Sequence, residues 1–300
     1  MPDHLRGVAF GGNLDPTADF GRAAREAQAI EDASLEFIGI QDHPYQRRFF
    51  DTWTLMSALV PLTERVHFVT DVVNLQMRPA PMLAKAVASL DVISGGRIEL
   101  GLGAGGFPEA VRAMGGPERN AAERVDALVE AIDLMRLMWS GAPSVTFEGE
   151  HYSLKGHKPG PPPAHRIEIW LGALGPRMLR LTGSVADGWI PSHSYVPPER
   201  AAVMNSRIDE AAKAAHREPA EIRRAYNVMG SIGVKDAPGL SGSPERWAEN
   251  LSSFVLEAGM DTLLFWPTGD DPVAQFELFG REVVPTVRDT VARSRGSDRP

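Results

Sequence analysis

The sequence predicts an α/β fold, a (β/α)8 TIM barrel with an insertion after the fourth helix at about residues 140–166. The first observation behind this prediction is that short apolar segments alternate eight times with longer helix-forming segments. The second is that each main connection is long enough to carry a helix, as parallel neighbouring strands require. The third is the length of 300 residues, which suits one large barrel. We therefore expect residues 1–290 to form a single domain and the polar residues 291–300 to form a disordered tail.

The predicted strands are short and mainly apolar. They cover residues 7–10, 36–41, 66–70, 98–101, 167–171, 188–190, 222–229 and 262–266. Eight twisted strands in parallel order can close into a barrel.

The predicted helices lie between and after these strands. They cover residues 17–33, 52–62, a segment from 79, 121–139, a segment from 176, 198–215, 244–258 and 273–287. Alanine, glutamate and arginine favour the first helix, and Pro79 suits a first helical turn. In the long helix at 121–139, Leu128, Ile132 and Met135 recur at helical spacing, so we expect them to pack in the core.

Residues 140–166 interrupt the alternation. Residues 147–152 have the composition of a hairpin turn, and the four prolines between 159 and 163 are too stiff for a helix or an inner strand. Because the alternation resumes afterwards, we interpret this segment as an insertion into the barrel and not as a linker between domains.

The composition excludes several classes of function. A formal net charge of −8 argues against a nucleic-acid or anionic-membrane partner. The absence of cysteine removes disulfides, thiolate metal sites and cysteine nucleophiles. No apolar run approaches the roughly 20 residues that span a bilayer, and residues 1–12 lack the features of a signal peptide. We therefore expect a cytoplasmic protein that acts on a small molecule.

Chemistry is expected at the carboxyl ends of the strands, where barrels of this kind carry their active sites. The segments that meet this condition are residues 11–13, 42–43, 71–74, 102–108, 172–177, 192–195, 229–230 and 266–268. They hold few paired carboxylates for glycoside hydrolysis and no lysine for Schiff-base chemistry. His43 and His193 stand on distant loops, so no metal site is predicted. By exclusion, these segments favour a cofactor site.

Residues 101–106 form a glycine-rich stretch that has three interpretations. The spacing Gly101-x-Gly103-x-x-Gly106 matches the dinucleotide fingerprint formally, but Glu123, the acid at the required distance, lies inside a predicted helix. A merely tight loop is the second interpretation. We favour the third, in which the bare backbone lets a flat aromatic ring system approach closely.

Three further places at the predicted mouth are candidates. Residues 172–177 open a helix whose free amides, with Arg177, could hold an anion, and an ordinary strand-to-helix turn is the alternative. His43, beside Asp42, is either a structural histidine oriented by that carboxylate or a catalytic group. The residues assigned to a substrate pocket are Phe10, His193, Tyr195 and Trp266. The alternatives here are core packing for the tryptophan and a solvent-facing loop for the histidine and the tyrosine.

Several short motifs, taken in order, resemble one enzyme family. They are the loop after the third strand, Arg78-Pro79 before the third helix, Ser94-Gly95-Gly96-Arg97, the glycine-rich fourth loop, residues 172–178 and Ala186-Asp187-Gly188-Trp189. This ordered set resembles the bacterial luciferase-like superfamily of flavin- and deazaflavin-dependent oxidoreductases over about residues 7–285. The resemblance implies a (β/α)8 barrel that binds FMN or coenzyme F420 at the carboxyl ends of its strands.

The resemblance also implies roles for individual residues. A non-prolyl cis peptide against the cofactor ring maps to Asp71-Val72, and His43, with Asp42 beside it, would face the reacting edge of the ring. The glycine-rich loop would line the cofactor, and residues 172–178 would hold its phosphate. The implied cofactor-binding residues are Asp71, Val72, Asn74, Gly103, Ala104, Gly105, Gly106, Gly172, Ala173, Gly175, Pro176, Arg177 and Met178.

Two reactions are compatible with this resemblance. In the first, reduced F420 gives hydride to an unsaturated carbon or an imine, and His43 donates a hydrogen bond or a proton to the acceptor. In the alternative, an FMN-dependent two-component monooxygenase uses reduced FMN and oxygen. The Asp42-His43 pair and residues 78–85 look closer to the methylene-tetrahydromethanopterin-reductase-like branch, which favours F420. F420-dependent sugar-phosphate dehydrogenases carry a glutamate at about the position of Gly106, which argues against that activity.

Two other classes of function stay open. A non-catalytic flavin-binding barrel would bind the cofactor without turnover, and a metal-dependent hydrolase would need ligands that this sequence scatters widely. The resemblance further suggests a homodimer and, as a partner, a flavin or F420 reductase.

Overall fold

The computed structural model describes residues 7–297. The strands in this range are β1 (Ala9–Leu14), β2 (Phe37–Ile40), β3 (His67–Thr70), β4 (Val73–Asn74), β5 (Ile98–Gly103), β6 (Val145–Glu148), β7 (Ser153–His157), β8 (Ile169–Leu171), β9 (Gly188–Trp189), β10 (Arg223–Ile232), β11 (Leu240–Gly242) and β12 (Thr262–Pro267). The helices are α1 (Phe20–Asp32), α2 (Thr52–Leu59), α3 (Ala80–Ser94), α4 (Pro108–Ala113), α5 (Ala121–Trp139), α6 (Pro176–Val185), α7 (Pro198–Ala214), α8 (Pro244–Leu256), α9 (Pro272–Leu278) and α10 (Val284–Ser297), with a π-helical turn at Phe279–Val283 between the last two.

Eight of these strands close into a parallel barrel. Their order is β1, β2, β3, β5, β8, β9, β10 and β12, and β12 pairs back with β1. The short strands β4 and β11 extend the pairing of β5 and β10. The predicted (β/α)8 barrel is therefore confirmed. Between α5 and β8, the antiparallel strands β6 and β7 form a separate two-stranded sheet.

The wall of the barrel is held by apolar side chains on both of its faces. On the outer face an aromatic cluster joins β12 to α8 and α9: the ring of Phe265 lies 5.0 Å from Trp247, 5.9 Å from Phe276 and 4.9 Å from Phe279. A second buried cluster joins five of the barrel strands and the residue after β9, and it comprises Phe37, Val69, Trp170, Ile190, Ala225 and Leu264. Inward-facing layers of this kind fill the interior of a TIM barrel. A ligand can therefore bind at the mouth of the barrel and not in a central channel.

The Ser94-Gly95-Gly96-Arg97 motif has a structural role at the amino-terminal end of the barrel. Gly95 ends α3 in the left-handed conformation, with φ of 72°, where glycine carries no steric penalty. The guanidinium of Arg97 then donates to the carbonyls of Val60, Thr63 and Val66 at 3.0–3.1 Å. The motif thus fixes the turn before β3 against the turn before β5.

Two predicted boundaries differ most from the structure. Helix α10 runs to Ser297, so residues 291–297 are helical and not a disordered tail; residues 298–300 lie outside the described residues. Strand β1 continues to Leu14, beyond its predicted end at residue 10. At Gly11 an added Cβ would lie 2.6 Å from the carbonyl oxygen of Phe37, so the glycine allows close packing of two strands.

Among residues 7–297, no helix combines the length and the apolar character that a membrane crossing requires.

Candidate active site

Three polar side chains meet where β1, β3 and β10 reach the mouth of the barrel. Asn13 donates from Nδ2 to Oδ1 of Asn227 at 2.9 Å and to Oδ2 of Asp71 at 3.3 Å. Asn13 and Asn227 are buried, and Oδ1 of Asn13 has no hydrogen-bond partner within the described part of the chain. An unpaired buried acceptor is unusual in a folded protein. This oxygen faces Gly39 of β2, where an added Cβ would lie 1.8 Å from it.

Asp71 is the titratable member of this group. The residue keeps part of its surface at the mouth, but burial of its carboxyl group raises its pKa to about 7. Contacts with Asn227 and Asn13 oppose this shift without cancelling it. The carboxyl group therefore changes its protonation state near neutral pH.

The peptide bond between Asp71 and Val72 is cis, at the position that the resemblance implied. The side chain of Val72 lies over three glycines of the neighbouring strands and loops: added Cβ atoms would approach its methyl groups to 3.3 Å at Gly101, 2.9 Å at Gly103 and 3.1 Å at Gly172. These glycines therefore make room for another part of the same chain. The favoured interpretation, that Gly103 lies open to a flat ligand, does not agree with this packing.

The rest of the fourth loop is fixed by two amide side chains that follow β4. Asn74 donates to the carbonyl of Gly106 at 3.2 Å, and Gln76 donates to the carbonyl of Ala104 at 3.0 Å. An added Cβ at Gly105 would lie 2.5 Å from Gln76. At Gly106, in contrast, no heavy atom of the described chain lies within 4 Å of an added Cβ. Among the glycines of this loop from Gly103 onward, Gly106 has the open face.

His43 is part of an aromatic cluster at the mouth. Its Nδ1 lies 2.7 Å from the hydroxyl oxygen of Tyr45, and its ring meets Phe107 edge to face at 5.6 Å. Burial lowers the pKa of His43, although the nearby Asp42 opposes the shift. The imidazole is therefore neutral at pH 7, and Nε2 is the ring nitrogen that Tyr45 leaves free for another partner.

Asp42 does not orient His43, contrary to one alternative from the sequence. Its carboxylate is buried and accepts from Nε of Arg78 at 3.2 Å, and Arg78 also contacts Asp51. Burial raises the pKa of Asp42, and the Arg78 guanidinium opposes this effect. Asp42 is thus a partner of Arg78, and Tyr45, which the sequence analysis did not select, fixes the imidazole.

The amino terminus of α6 carries the candidate anion site. Gly175 is the N-cap, Pro176 is the first helical residue, and no side chain in the described range caps the helix. Its first amides are therefore without a capping partner, and they carry the positive end of the helix dipole. Arg177 contributes less than predicted, because its guanidinium contacts Asp126 and the Ala122 carbonyl on α5.

Other residues predicted around this loop lie below its surface. Ala173 is buried, and its carbonyl accepts from the indole nitrogen of Trp189 at 2.9 Å. Met178 is 9% exposed and packs in the core.

The predicted substrate pocket is not assembled as one group. Phe10 is fully buried and packs edge to face against Phe279, which places it in the core. The ring of His193 packs on Phe254 of α8 at 5.4 Å. Tyr195 is 67% exposed, and Trp266 is half-buried near the end of β12. The sequence analysis missed Asn227, whose only signal was a polar residue within an apolar strand.

Known proteins resemble this chain over most of its length. The family model described as luciferase-like monooxygenase matches residues 6–254. A 5,10-methylenetetrahydromethanopterin reductase of Methanolobus tindarius is 30% identical, over 91% of this chain and 78% of the relative. An F420-dependent hydroxymycolic acid dehydrogenase of Mycobacterium tuberculosis is 30% identical, over 89% of this chain and 84% of the relative. An F420-dependent glucose-6-phosphate dehydrogenase of Microbacterium testaceum is 27% identical, over 79% and 83%.

Solved structures share the fold. An F420-dependent secondary alcohol dehydrogenase superposes with a TM-score of 0.85 at 19% identity, covering 95% of this chain and 100% of the other. A type II Baeyer–Villiger monooxygenase in complex with FMN superposes with a TM-score of 0.75 at 17% identity, covering 93% and 99%. At these identities the likeness establishes the barrel architecture.

Proposed function

The chain belongs to the luciferase-like monooxygenase family, and on this basis we propose that the enzyme uses reduced coenzyme F420 to transfer hydride to a small organic substrate. Its relatives in sequence include an F420-dependent dehydrogenase and a methylenetetrahydromethanopterin reductase. The observation that carries the proposal is the combination, at one barrel mouth, of an uncapped helix terminus with a half-buried neutral imidazole. The named cofactor of the M. tuberculosis relative supports F420 over FMN.

The residues at the mouth fit such a cofactor. The uncapped amides at the start of α6 suit a phosphate group, since a helix amino terminus stabilises an anion. The open face of Gly106 leaves space for a ring system beside the fourth loop. Asp71, which keeps part of its surface at the mouth, is a group with which such a ligand can interact.

F420, when bound in its reduced form, supplies a hydride. The protein then has to orient the acceptor and exclude water, and one proton has to reach the acceptor. We assign hydrogen-bond donation to the acceptor to Nε2–H of His43, since Nδ1 is held by Tyr45 and the neutral ring has no acidic proton to release. Phe107, which packs against both rings, is 59% exposed and covers the edge of this cluster.

The substrate class proposed is a small molecule with an unsaturated carbon or an imine. Glucose 6-phosphate is not expected to be oxidised, because Gly106 stands where the resembling sugar-phosphate dehydrogenases carry a glutamate. This expectation separates the chain from its 27% identical relative and is tested by incubating the enzyme with oxidised F420 and glucose 6-phosphate.

The proposal is tested by titrating the purified protein with F420 and FMN, each oxidised and reduced, and following tryptophan fluorescence. Micromolar F420 binding with much weaker FMN binding is the expected result. Preference for reduced FMN would instead identify an oxygen-using monooxygenase that needs a reductase. Failure of both cofactors to bind would overturn the proposal.

A further inference from the structure

A second cluster of chemically active side chains lies at the amino-terminal end of the barrel, away from the mouth. His67 begins β3, Glu99 is the second residue of β5, and His165 precedes β8. One nitrogen of each histidine and one oxygen of the glutamate all lie within 4.8 Å of one another. We propose that these three residues bind one divalent transition-metal ion, preferentially Zn²⁺, at a site that is independent of the cofactor.

The distances suit such an ion after small side-chain movements. Oε1 of Glu99 lies 3.1 Å from Nε2 of His165 and 3.5 Å from Nδ1 of His67. Ligand atoms about 2.0–2.2 Å from a tetrahedral zinc ion are separated by roughly 3.4 Å. Zinc accepts two imidazoles and one carboxylate as ligands. Calcium and magnesium prefer oxygen ligands, so this set of donors does not suit them.

The surrounding groups orient the proposed ligands. The other oxygen of Glu99 accepts from the amide of Glu168 at 2.7 Å, which leaves Oε1 facing the histidines. Nδ1 of His165 lies 2.8 Å from Oδ1 of the buried Asp91, outside the geometry of an ordinary hydrogen bond, and Oδ2 of Asp91 accepts from the amide of Ala164 at 2.7 Å. A carboxylate behind a histidine ligand is the common supporting arrangement at zinc sites.

The cluster is also incomplete without an additional group. Nδ1 of His67 is buried and has no hydrogen-bond partner of ordinary geometry in the described structure. This nitrogen faces Glu99 and is available to an ion. The side chains of His67 and His165 remain 37% and 28% exposed, so an ion can enter from solvent and keep water as its fourth ligand. The competing occupant is a proton, since contact with Glu99 raises the pKa of His165.

Bound metal would join β3, β5 and the segment before β8 at the end of the barrel opposite the active site. Its expected effect is therefore on stability and not on hydride transfer. This inference does not depend on the identity of the cofactor, and its measurements need no turnover.

The test begins with full-length protein that has been stripped with a chelator and dialysed. Titration with Co²⁺, followed by visible absorption, and Zn²⁺ analysis after equilibrium dialysis are expected to give one equivalent per chain. His67→Ala and Glu99→Gln should each weaken binding about 100-fold or more, a loss at least as large as that seen when supporting groups of metal sites are removed. His157→Ala, which removes an exposed histidine of β7, is the matched control and should bind like the wild type.

Thermal unfolding supplies a second readout that also detects misfolded variants. Zn²⁺ should raise the Tm of the wild type and of His157→Ala, but not the Tm of Glu99→Gln. Substoichiometric binding, or binding that survives both His67→Ala and Glu99→Gln in folded protein, would overturn the proposal.

Discussion

At the scale of single residues, the imidazole of His43 is the group whose chemistry depends most on its neighbours. Tyr45 engages its Nδ1 at 2.7 Å, and burial lowers its pKa. An uncharged ring with one nitrogen committed acts through the other, so in the proposed function His43 orients and polarises the acceptor by a hydrogen bond from Nε2. Asp42, adjacent in sequence, accepts a hydrogen bond from Arg78 instead.

Replacement of His43 by alanine should therefore lower kcat with little change in F420 affinity. We expect a reduction of about 10²–10³-fold, the range for loss of one hydrogen-bond donor to a developing charge. Tyr45→Phe should cause a smaller loss, because the imidazole remains but is less firmly held. The measurement is oxidation of reduced F420 with an acceptor identified by screening, and His157→Ala is the control. An unchanged kcat in His43→Ala would contradict the assignment.

Asp71 should make stability depend on pH in a particular direction. The unfolded chain releases this proton near the ordinary value of 3.8, but burial raises the folded pKa to about 7. Between these values the folded state holds the extra proton, so stability falls as pH rises from about 4 to 7 and is constant above that range. From pH 5 to pH 8 the loss attributable to this group is about 2–3 kcal/mol.

Asp71→Asn removes the titrating group and keeps an oxygen that can accept from Asn13. Urea unfolding of the wild type and the variant at pH 5 and pH 8 isolates the effect, since all other groups titrate in both proteins. The variant should gain stability relative to the wild type at the higher pH. If the difference in unfolding free energy between the two proteins is the same at pH 5 and at pH 8, Asp71 is ionised throughout this pH range.

At the scale of elements, the glycine-rich loop divides into a packed part and an open part. At Gly101 an added Cβ would lie 1.7 Å from the carbonyl oxygen of Thr70, and at Gly103 it would meet Val72. Gly106 has no such neighbour in the described chain. One sequence motif therefore packs the segment after β3 and, in the proposed function, also gives a ligand access.

Matched alanine substitutions should separate these purposes. Gly101→Ala is expected to destabilise the fold by about 1–3 kcal/mol, because overpacking displaces backbone. Gly106→Ala should leave Tm unchanged and weaken F420 binding roughly tenfold, or about 1.4 kcal/mol. Thermal unfolding and fluorescence titration of both variants provide the measurements. The interpretation fails if Gly106→Ala lowers Tm as much as Gly101→Ala does.

At the scale of the whole molecule, the closed barrel links cofactor binding to global stability. Segments after β1, β3, β5, β8 and β10 contribute to the mouth, so a cofactor held there contacts several parts of a folded chain and few of an unfolded one. A ligand that binds the folded state alone stabilises it in proportion to the logarithm of its concentration over Kd.

Saturation with the correct cofactor should therefore raise Tm. At 100 times Kd the stabilisation is about 2.7 kcal/mol, which corresponds to a rise of roughly 4 °C for a chain of 300 residues. Scanning fluorimetry with F420 and with FMN at matched multiples of Kd checks this result. A cofactor that binds without raising Tm would have to bind unfolded chain equally well.

The sequence by itself determined the architecture. Periodicity, strand-ending glycines and aspartates, and helix-starting prolines such as Pro79 are local properties, and eight repeats of one local pattern admit few arrangements besides a closed parallel barrel. The family resemblance located the cis peptide at Asp71-Val72 for the same reason, because it is carried by a short contiguous motif.

The tertiary structure alone decided which side chains meet. Asn13 and Asn227 are 214 residues apart yet hydrogen-bonded, and His67, Glu99 and His165 come from three separate segments. Arg177 contacts Asp126 on another helix in preference to the loop that its sequence position suggested. No local pattern encodes such pairings, because they follow from how closure of the barrel aligns distant strand ends and helices in space.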